Sequence, residues 1–340
     1  MKKLRLSSGY SKTRSARVLG LLLIAIQGLL GASALLANPC WVVAWGDLDY
    51  DLAIAASSSS TRVAGISAGS FHSLLLRRDG TLAAWGDNRF GQTSIPARAQ
   101  RGGVQEAVAG DVHNLALLSD GTVIAWGPSA GEEGDYGQCD VPAELDRVVA
   151  VAAGAVHSLA LRGDGTVAAW GDDAFGQCDV PAELTRVVAI AGGMYHSLAL
   201  REDGTVVAWG GNQMRQTDVP EGLNHVVAIA AGGFHSLALK DDGTVVFWGG
   251  YGLISGGVPT GLADVAAIAT GDYHSLALKR DGTVTVWGLS TAGQCDVPRG
   301  LTSVALISAR GSHSMALVDN HTFVPHTTIA PPAPGANRAR

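Results

Sequence analysis

The chain has 340 residues, a formal net charge of −6 and only 16% charged side chains, so it lacks the basic surface that nucleic acid or an anionic membrane requires. Apolar residues make up 47% of it and 45 glycines punctuate them, a composition that suits short buried strands between tight turns. No paired carboxylates, phosphate loop or spaced metal ligands rise above the repeat pattern described next, which argues against an enzyme and leaves no cofactor expected.

The first 17 residues hold six basic side chains (Lys2, Lys3, Arg5, Lys12, Arg14 and Arg17) and no acid. An apolar run from Val18 to Leu30 follows, then the small residues Ala32, Ser33 and Ala34. This order predicts a secretory signal peptide over residues 1–37 and places the mature protein in the periplasm or outside the cell. The apolar run is short for a membrane span. Residues 38–326 form the repeating domain, and the Pro/Ala-rich stretch 327–340 is predicted to be a disordered tail.

Within that domain Val42–Gly46 (Val-Val-Ala-Trp-Gly) comes first, ahead of any complete unit. Seven histidines then recur: His72, His113, His157, His196, His235, His274 and His313, the last five at a constant 39-residue interval (for example 196 − 157). Thirteen residues after each of the first six stands a Trp-Gly pair, at Trp85, Trp126, Trp170, Trp209, Trp248 and Trp287; the seventh has His326 there. The cleanest unit, Val226 to Gly250, reads as three apolar runs of about five residues, the last two joined by an Asp-Gly turn. A fourth segment ends in Val-Pro or Ile-Pro, as at Val219-Pro220, and proline confines it to an edge or a crossing. Units of about 40 residues with this content specify an all-β fold, a seven-bladed β-propeller of four-stranded blades. The seventh unit decays after its histidine strand, where Asn320-His321-Thr322 replaces Asp-Gly-Thr. The orphan strand with Trp45 matches Val206–Gly210, so it is expected to complete the last blade, close the ring and cover two strand edges.

The repeated histidines are expected to be hydrogen-bonded structural residues, since one per blade spreads them around a circle and a tetrahedral metal site needs convergence. Trp45, Trp85 and its five counterparts are expected in the core. Candidate partner contacts are the aromatics directly before the histidines, Phe71, Tyr195, Phe234 and Tyr273, because Tyr and Phe bury much area at small entropic cost. Glu132, Glu133 and Tyr136 join them, in the one insertion that breaks the repeat. Asp47–Asp51 lacks the glycine and terminal glutamate of a calcium loop. Cys139, Cys178 and Cys295 share one repeat position; with Cys40 they are either free thiols or two disulfides, in any of three pairings.

The run Ala228–Leu239 (Ala-Ile-Ala-Ala-Gly-Gly-Phe-His-Ser-Leu-Ala-Leu), followed by Asp-Gly-Thr-Val and Trp-Gly, resembles the regulator of chromosome condensation repeat, and the likeness runs from residue 42 to about 325. The resemblance implies a seven-bladed propeller that acts by binding other proteins. The Val-Val-Ala-Trp-Gly opening, the Gly-Gln-Thr/Cys-x-Val-Pro connectors and the export signal make it similar to the secreted bacterial members that inhibit β-lactamases. The family's nuclear exchange factors use an inserted wedge, and here the insertion within Pro128–Tyr136 adds only five residues (44 − 39). The expectation is therefore a secreted, monomeric protein–protein interaction platform without catalysis, whose partner is an unidentified protein such as an extracellular or periplasmic enzyme. The alternatives are a proteinaceous enzyme inhibitor resembling the β-lactamase-inhibitory propellers, and a carbohydrate or cell-wall binding or processing propeller.

Overall fold

The computed structural model describes residues 40–47, 63–250 and 257–319. The expected signal peptide (1–37), the expected tail (327–340) and most of Asp47–Asp51 lie outside these residues. The first strand is β1 (Cys40–Gly46). Six triplets follow: β2 (Val63–Ala68), β3 (His72–Arg77) and β4 (Leu82–Gly86); β5 (Val104–Ala109), β6 (Asn114–Leu118) and β7 (Val123–Trp126); β8 (Val148–Ala153), β9 (His157–Arg162) and β10 (Val167–Gly171); β11 (Val187–Gly192), β12 (His196–Arg201) and β13 (Val206–Gly210); β14 (Val226–Ala231), β15 (His235–Lys240) and β16 (Val245–Gly249); β17 (Val265–Thr270), β18 (His274–Lys279) and β19 (Val284–Gly288). The chain then adds β20 (Val304–Arg310) and β21 (His313–Asp319). Each triplet is one antiparallel sheet, and the seventh sheet has the order β1-β21-β20. First strands of neighbouring blades touch all the way round, so they line the centre of the propeller.

Among the described residues the blades have three paired strands, and the expected fourth does not form. The Gly-Gln-x-x-Val-Pro segment turns because its glycine is left-handed, as at Gly176 (φ 76°), and the glutamine side chain takes up backbone groups that a ladder would use. Gln177 accepts the Phe175 amide on Oε1 at 2.9 Å, and Gln92, Gln138, Gln216 and Gln294 repeat the bond.

Blade packing follows from the Leu-Ala-Leu of the middle strand. Alternate residues face opposite sides of a sheet, so two leucines meet the following blade while the alanine meets the preceding one. Leu198 and Leu200 pack against Ala238 and Trp248 of the next blade, and Leu159 and Leu161 against Ala199 and Trp209. Each interface is thus its own apolar core, and all the Trp-Gly tryptophans contribute, six of them buried and Trp85 partly so. The interface between blades seven and one differs in chemistry: Leu75 stands in place of alanine and meets the more adaptable Met315.

β1 pairs along its whole length with β21, from Cys40 opposite Asp319 to Gly46 opposite His313. The seventh blade in turn meets the first, where Ala68 donates its amide to Ser308 Oγ at 2.9 Å. The N-terminal strand therefore completes the last blade, and that blade docks on the first.

A second tie crosses the centre. Three residues before its histidine each of the first six units has glycine (Gly69, Gly110, Gly154, Gly193, Gly232, Gly271), where a Cβ would lie within 2.4 Å of an atom of its own unit's histidine ring. The seventh has Arg310. Its buried guanidinium donates to Asp111 Oδ1 at 2.8 Å and to the carbonyls of Ala153 and Gly192, joining blade seven to blades two, three and four. Removing one partner of such a buried pair leaves the other uncompensated. Arg310→Ala is expected to lower stability by roughly 3–5 kcal/mol, measured by urea denaturation; an unchanged midpoint would show that the bonds across the centre carry no load.

Candidate functional site

The two faces of the disc differ in kind. On one, the middle strands end in Asp-Gly-Thr hairpins whose aspartates accept the threonine amide and hydroxyl, as Asp242 does from Thr244 at 2.9 and 2.6 Å. Those bonds hold the carboxyl of Asp242 below its ordinary range. Around them lie mixed charges that pair locally, including Arg186 with Glu202, Arg98 with Asp120 and Arg147 with Asp146. Exposed pairs of this sort contribute little stability, and they leave the hairpin face largely self-neutralised.

The other face begins at the histidines. Each histidine bonds through Nε2 to the next blade: His113 to Ser158, His157 to Ser197, His196 to Ser236, His235 to Ser275 and His274 to Ser314 at 2.8–3.1 Å. His72 meets Asn114 Oδ1 at 2.7 Å, and His313 completes the circle at Ser73, 3.5 Å away. Ser158, Ser197, Ser236 and Ser314 in turn donate to the backbone carbonyls of Gln138, Gln177, Gln216 and Gln294. A serine that donates there must accept from histidine, so Nε2 carries the proton. The same carbonyls accept the indole N–H of Trp170, Trp209, Trp248 and Trp45. Burial pushes the imidazoles of His113, His157, His196, His235, His274 and His313 down to about 3, and lowers His72 as well. The ring is neutral and dispersed, its Nε2 atoms tie each blade to the next while the Nδ1 atoms stay buried without a hydrogen-bond partner, and no cluster that could hold a metal ion occurs among the described residues.

Above this ring sit the aromatics. Phe175 packs against Tyr195 with ring centroids 4.8 Å apart, Tyr195 against Phe234 at 5.9 Å, and Phe234 against Tyr273 at 5.6 Å. Tyr195, Phe234 and Tyr273 are half-buried, and Phe175 is 43% exposed. The result is a continuous arc across blades four to six, pinned beneath by the histidine ring and at Phe175 by Gln177. Burial, with Asp272 and Tyr195 nearby, raises the Tyr273 phenol. Phe71 lies on the same face on blade one, separated from the arc by Val112 and Val156 on one side and Ser312 on the other.

Phe175 belongs to the arc although it is not among the contacts expected from the sequence. Its signal was positional, since Phe90, Tyr136 and Met214 hold the same place two residues before the buried glutamine. The insertion is on this face too, with Gly134 against Phe90. Asp135 organises it by accepting the amides of Gly131 and Gly137, bonds that lower its carboxyl, and Glu132, Glu133 and Tyr136 remain exposed. At the mouth of the central channel Asp111 and Asp272 share one cation among the described residues, Arg310.

The cysteines take no part in this surface chemistry. Cys139, Cys178 and Cys295 are not bridged to one another, and burial, with aspartates alongside, pushes Cys139 and Cys178 up to about 12, so they are protonated and unreactive at neutral pH.

Comparison with known proteins agrees with this geometry. The family model described as regulator of chromosome condensation (RCC1) repeat matches residues 63–92, 148–177, 187–216, 226–250 and 265–294. The unmatched stretches include the unit with the insertion and Asn114, and the seventh, split between the two ends of the domain. No curated protein matches the chain. Among solved structures it is similar to Prp20p from Saccharomyces cerevisiae, described with its binding to Gsp1p and histones, at 21% identity over 84% of this chain and 93% of that one, with a TM-score of 0.68. It is also similar to yeast RCC1 (Prp20) bound by Kap60, at 20% identity, coverage of 95% and 97%, and a TM-score of 0.72. Human WBSCR16 follows at 18% identity, coverage of 84% and 100%, and a TM-score of 0.64. With the repeated His-Ser-Leu-Ala-Leu strands, the Trp-Gly ends and the sevenfold ring, these matches show five regulator of chromosome condensation repeats in this chain, set in the propeller fold of the structures it resembles.

Proposed function

We propose that this protein is an exported, non-catalytic interaction propeller that grips another protein on its histidine face. The observation that supports this reading best is the arc Phe175–Tyr195–Phe234–Tyr273, partly exposed aromatics held at fixed positions by the ring beneath. Rigid aromatics that need little ordering are what binding hot spots are made of. That solved propellers of similar fold are described with protein partners supports the same reading. Export rests on the leader, and the resemblance to β-lactamase-inhibitory propellers makes a secreted enzyme the first kind of partner to test. The sugar-binding alternative has less support, because adjacent rings in the arc tilt by 57° against one another at two of three contacts and do not lay out one flat stacking surface.

The test is capture by immobilised residues 38–340, with three arms: culture fluid of the producing organism, a purified class A β-lactamase, and insoluble peptidoglycan. Saturable capture of one protein at nanomolar concentration is the expected result, and the β-lactamase arm decides whether inhibition is its form. Retention on peptidoglycan alone would overturn the reading.

A further inference from the structure

The charges around the arc restrict what docks on it. Acids stand on the connectors of this face: Glu132 and Glu133 on the insertion, and Asp172 and Asp173 just before Phe175. At the arc's other end Asp272 directly precedes Tyr273. The cations on the same connectors are fewer. Arg89 is held by Asp87 at 3.0 Å, Arg310 is committed to Asp111 at 2.8 Å, and Arg215 is exposed between Met214 and Gln216.

The channel mouth is short of positive charge on its own account. Asp111 and Asp272 have one guanidinium between them, and Arg310 gives its direct bonds to Asp111 and to two carbonyls, none to Asp272. Burial and the neighbouring Asp111 push the Asp272 carboxyl up to about 6, against the pull of Arg310 and the Gly311 amide. A carboxylate in that condition gains from a second cation.

We infer that the occupant of this face is a protruding protein loop that places lysine or arginine beside an apolar or aromatic side chain, the cation at the Asp272 end and the apolar group on the arc. This rests on the reading of the face as the binding platform. Complementary charge of this kind speeds encounter and rejects acidic partners, and an aromatic rim adds cation–π attraction for the same side chains. The hairpin face, with its charges paired locally, has no comparable imbalance.

A display library of disulfide-closed random loops, panned in parallel on the wild-type protein and on a Tyr195→Ala/Phe234→Ala/Tyr273→Ala variant, tests this. Loops that the variant fails to retain are expected to be enriched in Lys or Arg next to Leu, Phe, Tyr or Trp. A synthetic loop from that pool should bind Asp272→Asn roughly five- to tenfold more weakly than wild type, and 0.5 M salt should weaken it similarly. Arc-dependent loops without basic enrichment, or with affinity indifferent to Asp272→Asn and to salt, would overturn this inference and leave the platform standing. Absence of any arc-dependent loop would overturn the platform itself.

Discussion

Lowering the pH from 7 to 5 is expected to remove most of the propeller's stability. The six imidazoles at about 3 in the folded state return to about 6.5 when the chain unfolds. Their folded values are depressed, so the unfolded chain takes up protons first. The stability they carry is present above the unfolded value and is lost as pH falls toward the folded one. Over those two units each histidine costs about 2 kcal/mol. Two carboxyls work in the other direction. Glu106, which accepts the Val151 amide, is pushed up to about 7 by burial, and Asp272 to about 6, so the folded state binds their protons first. Together they offset on the order of 3 kcal/mol, leaving a net loss on the order of 8 kcal/mol. That is comparable with the entire stability of an ordinary domain, about 5–15 kcal/mol. Thermal melts at pH 7, 6 and 5 and constant ionic strength should show a steep fall below pH 6.5. A melting temperature that stays flat to pH 5 would mean that the histidines are not buried and neutral.

Deleting residues 38–46 is expected to open the ring. β1 buries Cys40, Val42, Val43 and Trp45, and a fully buried apolar side chain contributes roughly 1.5–3 kcal/mol. The deletion also strips β21 of its partner from Asp319 to His313 and takes Trp45 from the Gln294 carbonyl. The exposed edge invites intermolecular pairing, so the truncated protein should melt far lower and self-associate. A synthetic peptide of residues 40–47 should restore part of the loss by occupying the vacant edge. Unchanged thermal unfolding of the truncated chain would show that the ring does not depend on its N-terminal strand.

The blade count and the closing strand could be read from spacing alone, because a period set by His, Asp-Gly and Trp-Gly is local and repeats without gaps. The missing fourth strand could not. Val-Pro punctuation fits either a strand or a turn, and the choice is made by Gln177 and its counterparts, whose side chains bond backbone two residues away and whose carbonyls serve the next blade. The arc was partly legible: Tyr195, Phe234 and Tyr273 occupy one repeat position on consecutive units, which makes them neighbours in a ring, and the same argument sets Phe71 apart. Phe175 escaped because its approach to Tyr195 depends on how the glutamine-tied connector turns. Arg310 was visible as a break in a column of glycines. That it reaches Asp111 across the centre follows only from the closed ring.

The claim that most needs testing is that binding occurs on the histidine face. The direct measurement is capture of the partner by wild-type protein, by the Tyr195→Ala/Phe234→Ala/Tyr273→Ala variant and by a hairpin-face variant, Arg186→Glu/Lys240→Glu, each first shown to melt cooperatively. Loss of roughly 100-fold or more in affinity for the aromatic variant, with the hairpin-face variant like wild type, is the predicted result. Binding that survives in the aromatic variant and fails in the hairpin-face variant would contradict it.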